Sequence, residues 1–258
     1  MTAELVHLDL AGAVATVTLD SPSNRNALSR QLMADLDRHL TAALGDDRVR
    51  VIVLTGAGPV FCSGADLKEQ RTANESGSGQ TGPGGLVPTL KAMWNSPKPV
   101  VGRINGPARA GGLGLVAACD IAVGVDGATF GFSEVRLGVV PAIISVVCLP
   151  KLGPTKGMEL LLTGEPFDAS EAARLGLINA AVPAEKLDEA VGGYVAQLLK
   201  GAPNALAECK RMVREVPTMP MDEAFDRMAV LSARLFASEE AREGMTAFAE
   251  KRSPRWSA

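Results

Sequence analysis

Lys98-Pro99-Val100-Val101-Gly102-Arg103-Ile104-Asn105-Gly106-Pro107-Ala108-Arg109-Ala110-Gly111-Gly112-Leu113-Gly114 runs from a strand through two turns into a helix. Pro99–Ile104 reads as a buried strand, Asn105-Gly106-Pro107 and Ala110-Gly111-Gly112 as turns, and Leu113–Ala118 as the apolar body of a buried helix. An upstream junction has the same design. Val51–Leu54 is a continuous apolar run, typical of a strand covered on both faces, and it leads through Gly56, Gly58 and Gly64 to Ala65-Asp66-Leu67-Lys68-Glu69. Each junction sets small residues just after a buried strand, where free backbone N–H groups can point into a cleft. Two such groups, one at a helix N-terminus, form a hole for a developing oxyanion, and small residues let a ligand approach the backbone closely. Taken alone, either junction is also compatible with plain turn chemistry.

Working outward, residues 5–10 and 13–19 alternate apolar and polar around Ala11-Gly12, a β-hairpin pattern. Ser29 is placed to cap a helix carrying Leu32, Leu36, Leu40 and Leu44 on one stripe. The polar, Gly- and Ser-rich stretch Ala73–Gly85 reads as a lid or a slack connection. Ile121–Val125 and Thr129–Phe132 read as short strands, and Asp168 with Glu171 has capping-box spacing. Amphipathic segments then cover Ala184–Leu199, Asn204–Val213 and Asp222–Phe236, with a last one ending near Arg252. The expectation is an α/β core over residues 1–200 and an α-helical C-terminal region over 201–258. The apolar Met228, Leu231, Leu235 and Phe236 exceed what one subunit can bury, which points to an oligomer.

Composition excludes several classes. The chain has 258 residues, 47% hydrophobic and 21% charged, with a formal charge of −3, so nothing draws it to nucleic acid or anionic membrane. No apolar run approaches the roughly 20 residues of a membrane span, and the start MTAELVHLDL lacks the pattern of a secretory signal. The four cysteines are scattered without a C-x-x-C pair, which argues against a metal site and for buried thiols in a reducing, cytoplasmic setting. Two histidines, His7 and His39, both read as structural, and there is no G-x-S-x-G elbow, so a Ser-His-Asp hydrolase is poorly supported. Gly112-x-Gly114-x-x-Ala117 fits a relaxed dinucleotide fingerprint with Glu134 downstream. The strand that should end in the ribose-binding acid is Ile121–Val125, however, and no second nucleotide-binding half follows.

Linked motifs in a fixed order resemble the crotonase superfamily of enoyl-CoA hydratases and isomerases over nearly the whole chain. Ser21–Leu28 resembles that family's first CoA-contacting loop, Phe61–Glu69 its first oxyanion-hole segment, Lys98–Asp120 the second, and Phe130–Pro141 the segment bearing a catalytic glutamate. Glu243–Arg252 is similar to the family's C-terminal end. The resemblance implies a spiral ββα core with an α-helical C-terminal trimerisation region, assembled as homotrimers or hexamers. It implies that the N–H groups of Ala65 and Gly111 hold a thioester oxygen and that Glu134 is the acid/base. The CoA ester is expected against Arg25, Ala27, Ala65, Asp66, Leu67, Gly111 and Gly114, with Phe236 and Lys251 of a neighbouring subunit closing the site. No metal and no cofactor beyond the substrate's own CoA are implied.

Two departures from the family pattern bear on the chemistry. Hydratases of the family carry a glutamate three residues after the oxyanion-hole glycine; here that position is Gly114. Hydration must deliver oxygen to C3 and a proton to C2, work that two carboxylates divide easily, whereas double-bond migration needs one base. The family's glycine-rich segment after the catalytic glutamate is replaced by Pro141-Ala142-Ile143-Ile144-Ser145, which resembles hydratases acting on methylglutaconyl-CoA and related branched acyl-CoAs. The expected reaction is hydration of a 2-enoyl-CoA, its acyl chain branched or carboxylated; the alternatives are Δ3,Δ2-enoyl-CoA isomerisation or acyl-CoA binding with little or no catalysis. Asp66 either caps the helix that follows it or touches ligand. Arg109 either lies at the surface or meets a carboxylate on the acyl group. Cys62 and Cys119 read as packing residues.

Overall fold

The computed structural model describes residues 4–75 and 85–257. The early alternation becomes a hairpin: β1 (Val6–Ala11) and β2 (Val14–Leu19) pair antiparallel with Ala11 opposite Val14. Its loop is Gly12-Ala13, one residue later than the pattern suggested, because Gly12 supplies the left-handed φ of +57°. β2 then pairs in parallel with β3 (Val51–Gly56), and β4 (Val100–Ile104), β6 (Ile121–Val125) and β9 (Ala180–Val182) follow in parallel, completing the sheet order β1-β2-β3-β4-β6-β9. A small second sheet holds β5 (Ala108–Arg109), β7 (Thr129–Gly131) and β8 (Phe167–Asp168) in the order β5-β7-β8.

The chain repeatedly lays one strand in the large sheet, one in the small sheet, and then a helix. β4 and β5 lead into α4 (Gly111–Ala118), and β6 and β7 lead to α5 (Ala142–Thr163). After β3 the small-sheet step is only a bridge between Cys62 and Ala108, followed by α2 (Leu67–Glu75). This is the expected ββα spiral. Every residue of α4 is buried, as its unbroken apolar sequence requires.

α1 (Arg30–Gly45) begins at Ser29, whose Oγ accepts the Leu32 N–H at 3.2 Å, and it buries Leu32, Leu36 and Leu40. α3 (Leu86–Asn95) packs against α1 and α4. α6 (Ala169–Arg174) is capped by Asp168, which accepts the Glu171 N–H at 2.7 Å. α7 (Leu187–Lys200) covers the opposite face of the large sheet, packing Leu187 and Val191 on Val51, Val53, Val101 and Val123. The central strands are therefore buried on both faces, which accounts for their continuous apolar runs. α5 is bent where Gly153 (φ 69°, ψ 171°) interrupts it just before Pro154.

The C-terminal region comprises α8 (Pro203–Glu215), α9 (Met221–Phe236) and α10 (Glu239–Ala249). It is tied to the sheet through Asp120, which accepts from Lys210 Nζ at 2.8 Å, Arg214 Nη2 at 2.7 Å and the Val100 N–H at 2.8 Å. The Arg214 guanidinium also lies 4.0 Å from the centroid of the Trp94 ring. Just before β3, Arg50 donates to the carbonyl oxygens of Leu199, Gly201 and Trp256. Leu231 is buried, but Phe225, Phe236 and Phe248 are 71%, 69% and 87% exposed, so the tail leaves large apolar groups uncovered within one chain. Among the described residues no helix is long and apolar enough to cross a membrane.

Candidate active site

Two loops set the upper wall of the site. In the first, Asn26 is fully buried in a left-handed conformation (φ 52°). Its Oδ1 accepts the Ser21 N–H at 2.8 Å, and its Nδ2 donates to the carbonyls of Val60 at 2.8 Å and Ala57 at 3.0 Å. This one amide clamps the Ser21–Leu28 loop onto the strand-to-helix junction after β3. The Leu28 N–H then donates to Gly64 O at 2.7 Å and the Ser63 N–H to Arg25 O at 3.0 Å, so Arg25 and Ala27 are carried alongside Ala65. Sequence patterns do not single out Asn26, because the carbonyls that its Nδ2 meets lie 31 to 35 residues away and leave no local signal.

The second loop delivers Gly111. Ala110 holds φ 47° and ψ −121°, a sparsely populated conformation for a residue with a Cβ, and it stands at the N-cap of α4 without a capping side chain. Gly111, the first residue of that helix, therefore contributes one of the N–H groups for which helix geometry provides no intrahelical acceptor. Gly64 makes the turn possible: a Cβ there would lie 2.8 Å from the Ala110 Cβ and 2.9 Å from Arg109 O.

Ala65 and Gly111 line one cavity of about 640 Å³ together with Glu134, Ser133, Leu86, Leu137 and the start of α5. Glu134 opens a short 3-10 turn, Glu134–Leu137, closed by Gly138 at φ 74°. Burial raises its carboxyl pKa above the ordinary 4.5, opposed by a backbone hydrogen bond. Its Oε2 is buried with no hydrogen-bond partner among the described residues. An unpaired buried carboxylate oxygen is costly, and such groups concentrate where proton transfer is done.

The other expected residues divide between the cavity and its surroundings. Leu67 lines the cavity at its exposed edge. Asp66 caps α2, its Oδ1 accepting the Lys68 N–H at 3.0 Å and the Glu69 N–H at 3.2 Å, while Asn24 Nδ2 reaches its Oδ2 at 3.4 Å. Arg109 is turned along the small sheet, donating to Ala108 O at 3.0 Å and to Thr129 Oγ1 at 2.7 Å, so it does not offer its charge to the cavity. Phe236 and Lys251 do not line the cavity of their own chain. Cys62, Cys119 and Cys148 are buried, with thiol pKa values pushed up to about 12 by desolvation. Residues 76–84, most of the expected lid or connection, lie outside the described residues.

Gly114, expected to contact the CoA ester, does not line the cavity. A Cβ on it would lie 2.5 Å from Ile144 Cγ2 and 3.2 Å from Ile144 Cβ, with Leu90 Cδ1 at 3.5 Å. Ile144 occupies the space above the glycine and takes its place in the wall. The two departures from the family pattern are thus one packing event.

The enoyl-CoA hydratase/isomerase family matches residues 9–258. A carnitinyl-CoA dehydratase of Escherichia coli is 37% identical over 259 residues, covering 98% of each chain. Among solved structures, AtuE of Pseudomonas aeruginosa superposes with a TM-score of 0.92 at 31% identity, covering 99% of this chain and all of that one. An enoyl-CoA hydratase of Mycobacterium smegmatis superposes at 0.87 with 30% identity, covering 98% and 99%. Matched along almost its entire length in sequence and in fold, this chain belongs to the enoyl-CoA hydratase/isomerase family.

Proposed function

We propose that the protein adds water across the C2=C3 bond of a 2-enoyl-CoA, or removes it in reverse, with Glu134 as the sole carboxylate. The thioester oxygen accepts from the N–H groups of Ala65 and Gly111. Glu134 takes a proton from a water molecule as that oxygen bonds to C3, and the electron pair of the double bond moves onto the thioester as an enolate held by the two N–H groups. Glu134 then returns the proton to C2, so one O–H bond is exchanged for one C–H bond and the carboxylate is regenerated. The observation that carries this reading is the buried Glu134 Oε2, without a partner among the described residues, in the cavity that Ala65 and Gly111 line.

CoA itself is taken to run past Arg25, Ala27 and Leu67, with Phe236 and Lys251 supplied by a neighbouring subunit of a trimer or a pair of trimers. The exposed phenylalanines of α9 and α10 support assembly. No cofactor beyond the CoA of the substrate enters the scheme, and three buried thiols suit a reducing cytoplasm.

The packing of Ile144 on Gly114 favours Δ3,Δ2-enoyl-CoA isomerisation as the second reading, since it leaves the one base that reaction needs. A panel of acyl-CoA thioesters, followed by absorbance of the conjugated enone and by product mass, separates the two. Hydration adds the mass of one water and isomerisation adds none. Binding of the thioesters without turnover of any of them would overturn both.

A further inference from the structure

We propose that Ile144 is the specificity-determining residue of the site, closing it over Gly114 so that it selects short, uncharged acyl chains. The inference rests on the acyl-CoA reading above and adds the class of acyl group. Gly111 and Gly114 are three residues apart on α4, so the ceiling above Gly114 stands about 4.5 Å along the helix from the oxyanion donor. That is close to the reach of an acyl chain from its carbonyl to C4. Ile144 is 2% exposed, and its Cγ2 would be 2.5 Å from any Cβ at position 114, with Leu90 Cδ1 3.5 Å from that same Cβ. A β-branched side chain in a helix has one strongly preferred rotamer, so this wall does not swing aside. A longer chain running along α4 meets it at C4 or C5.

Charge selection follows from the same walls. Around Glu134 the cavity presents Leu86, Leu137, Val139, Val140 and Ile143, and no Lys, Arg or His lines it among the described residues. Arg109, the basic side chain nearest the oxyanion turn in sequence, is bound to Thr129 instead. A carboxylated acyl chain would enter an apolar space already holding the Glu134 carboxylate, with no cation to compensate. A cationic chain would have only the Glu134 carboxylate for a partner, a pairing that lowers the carboxylate's basicity and takes it from proton transfer. No aromatic face among the described lining residues holds the charge instead. The methylglutaconyl-like substrate suggested by the Pro141–Ser145 segment is therefore disfavoured, and neutral short 2-enoyl groups are selected.

Calorimetric binding of butanoyl-, octanoyl- and glutaryl-CoA to the parent, Ile144→Val and Ile144→Ala tests this without requiring turnover. The parent should bind butanoyl-CoA at least about 10-fold more tightly than either of the others, since one misfitted methylene is worth roughly 10- to 200-fold. Ile144→Ala should move the octanoyl-to-butanoyl ratio toward octanoyl by about 10-fold or more, and Ile144→Val by a smaller step in the same direction. Glutaryl-CoA should stay weak throughout. Ile144→Val is the milder change and carries the test if the alanine variant does not fold. A ratio unchanged in a variant that still binds, or glutaryl-CoA binding as tightly as butanoyl-CoA, would overturn the proposal. Enoyl-CoA turnover, scored separately, distinguishes the readings: shifted ratios without turnover sink the hydratase assignment alone, and flat ratios with turnover sink this one alone.

Discussion

Ionising Glu134 places a negative charge beside the apolar start of α5, and this sets both how the residue works and how it affects stability. Its pKa in the folded chain lies above the unfolded value, so protonation is linked to folding. The favourable contribution is fully present below the unfolded pKa near 4.5 and is lost as pH rises through the folded pKa. Glu134→Gln removes the ionisation, and at pH 8 its melting temperature should exceed the parent's, the gap closing toward pH 4. Equal melting temperatures at pH 8 would contradict the burial argument. The same change should lower kcat by about 10²- to 10⁴-fold, the usual worth of a positioned acid/base. The acid limb of kcat/KM in the parent should fall at a pH above that of an ordinary glutamate. Gly111 offers a complementary test. Gly111→Pro removes the N–H and should lower kcat by about 10²- to 10³-fold; its Cβ would lie 2.7 Å from Leu28 Cδ1, so circular dichroism must first show that the variant is folded. Near-parental kcat in the folded variant would remove Gly111 from the oxyanion hole.

The contact between α4 and α5 governs what position 114 can accept. Introducing glutamate there, which the family pattern invites as a second carboxylate reaching toward C3, meets Ile144 at 2.5 Å. Gly114→Glu should destabilise the fold by about 1–3 kcal/mol from overpacking, with a further cost for the buried charge. Combining it with Ile144→Ala should recover part of that loss, a coupling on the order of 1 kcal/mol in thermal or urea denaturation. Additive effects would mean that the two side chains do not share the space. What was legible in the sequence divides along the same line. Ser29 as a cap, the Val51–Leu54 run and the first hairpin rest on local chemistry and could be read directly. So could the small residues around Gly111. α3 and α5 were not delimited, because Pro88, Pro150, Gly153 and Pro154 interrupt their patterns. Ile144 above Gly114 and Asn26 beneath Phe61 are non-local contacts, which no window of sequence contains.

At the scale of the whole molecule the C-terminal helices are tied to the sheet by polar contacts, while large apolar groups such as Phe225, Phe236 and Phe248 face outward. Size-exclusion chromatography with light scattering should give a mass that is a multiple of three chains. Phe225→Ser combined with Phe248→Ser should lower that mass while leaving the single chain folded, since both rings are largely exposed within it. An unchanged assembly would take these faces out of the interface. Arg50 has a different significance. It stands immediately before β3, but the carbonyls that receive its guanidinium belong to Leu199, Gly201 and Trp256, the last 206 residues away. At about 5–20 residues per second, a ribosome extends the chain for roughly 10–40 seconds between Arg50 and Trp256. Within that interval the guanidinium gains its acceptors in two steps, Leu199 and Gly201 first and Trp256 last. The nascent chain thus carries an incompletely sealed seam beside its central strand until Trp256 emerges. A message interrupted between the Gly201 and Trp256 codons would leave that seam short of one acceptor, even though every residue of the catalytic cavity had been made.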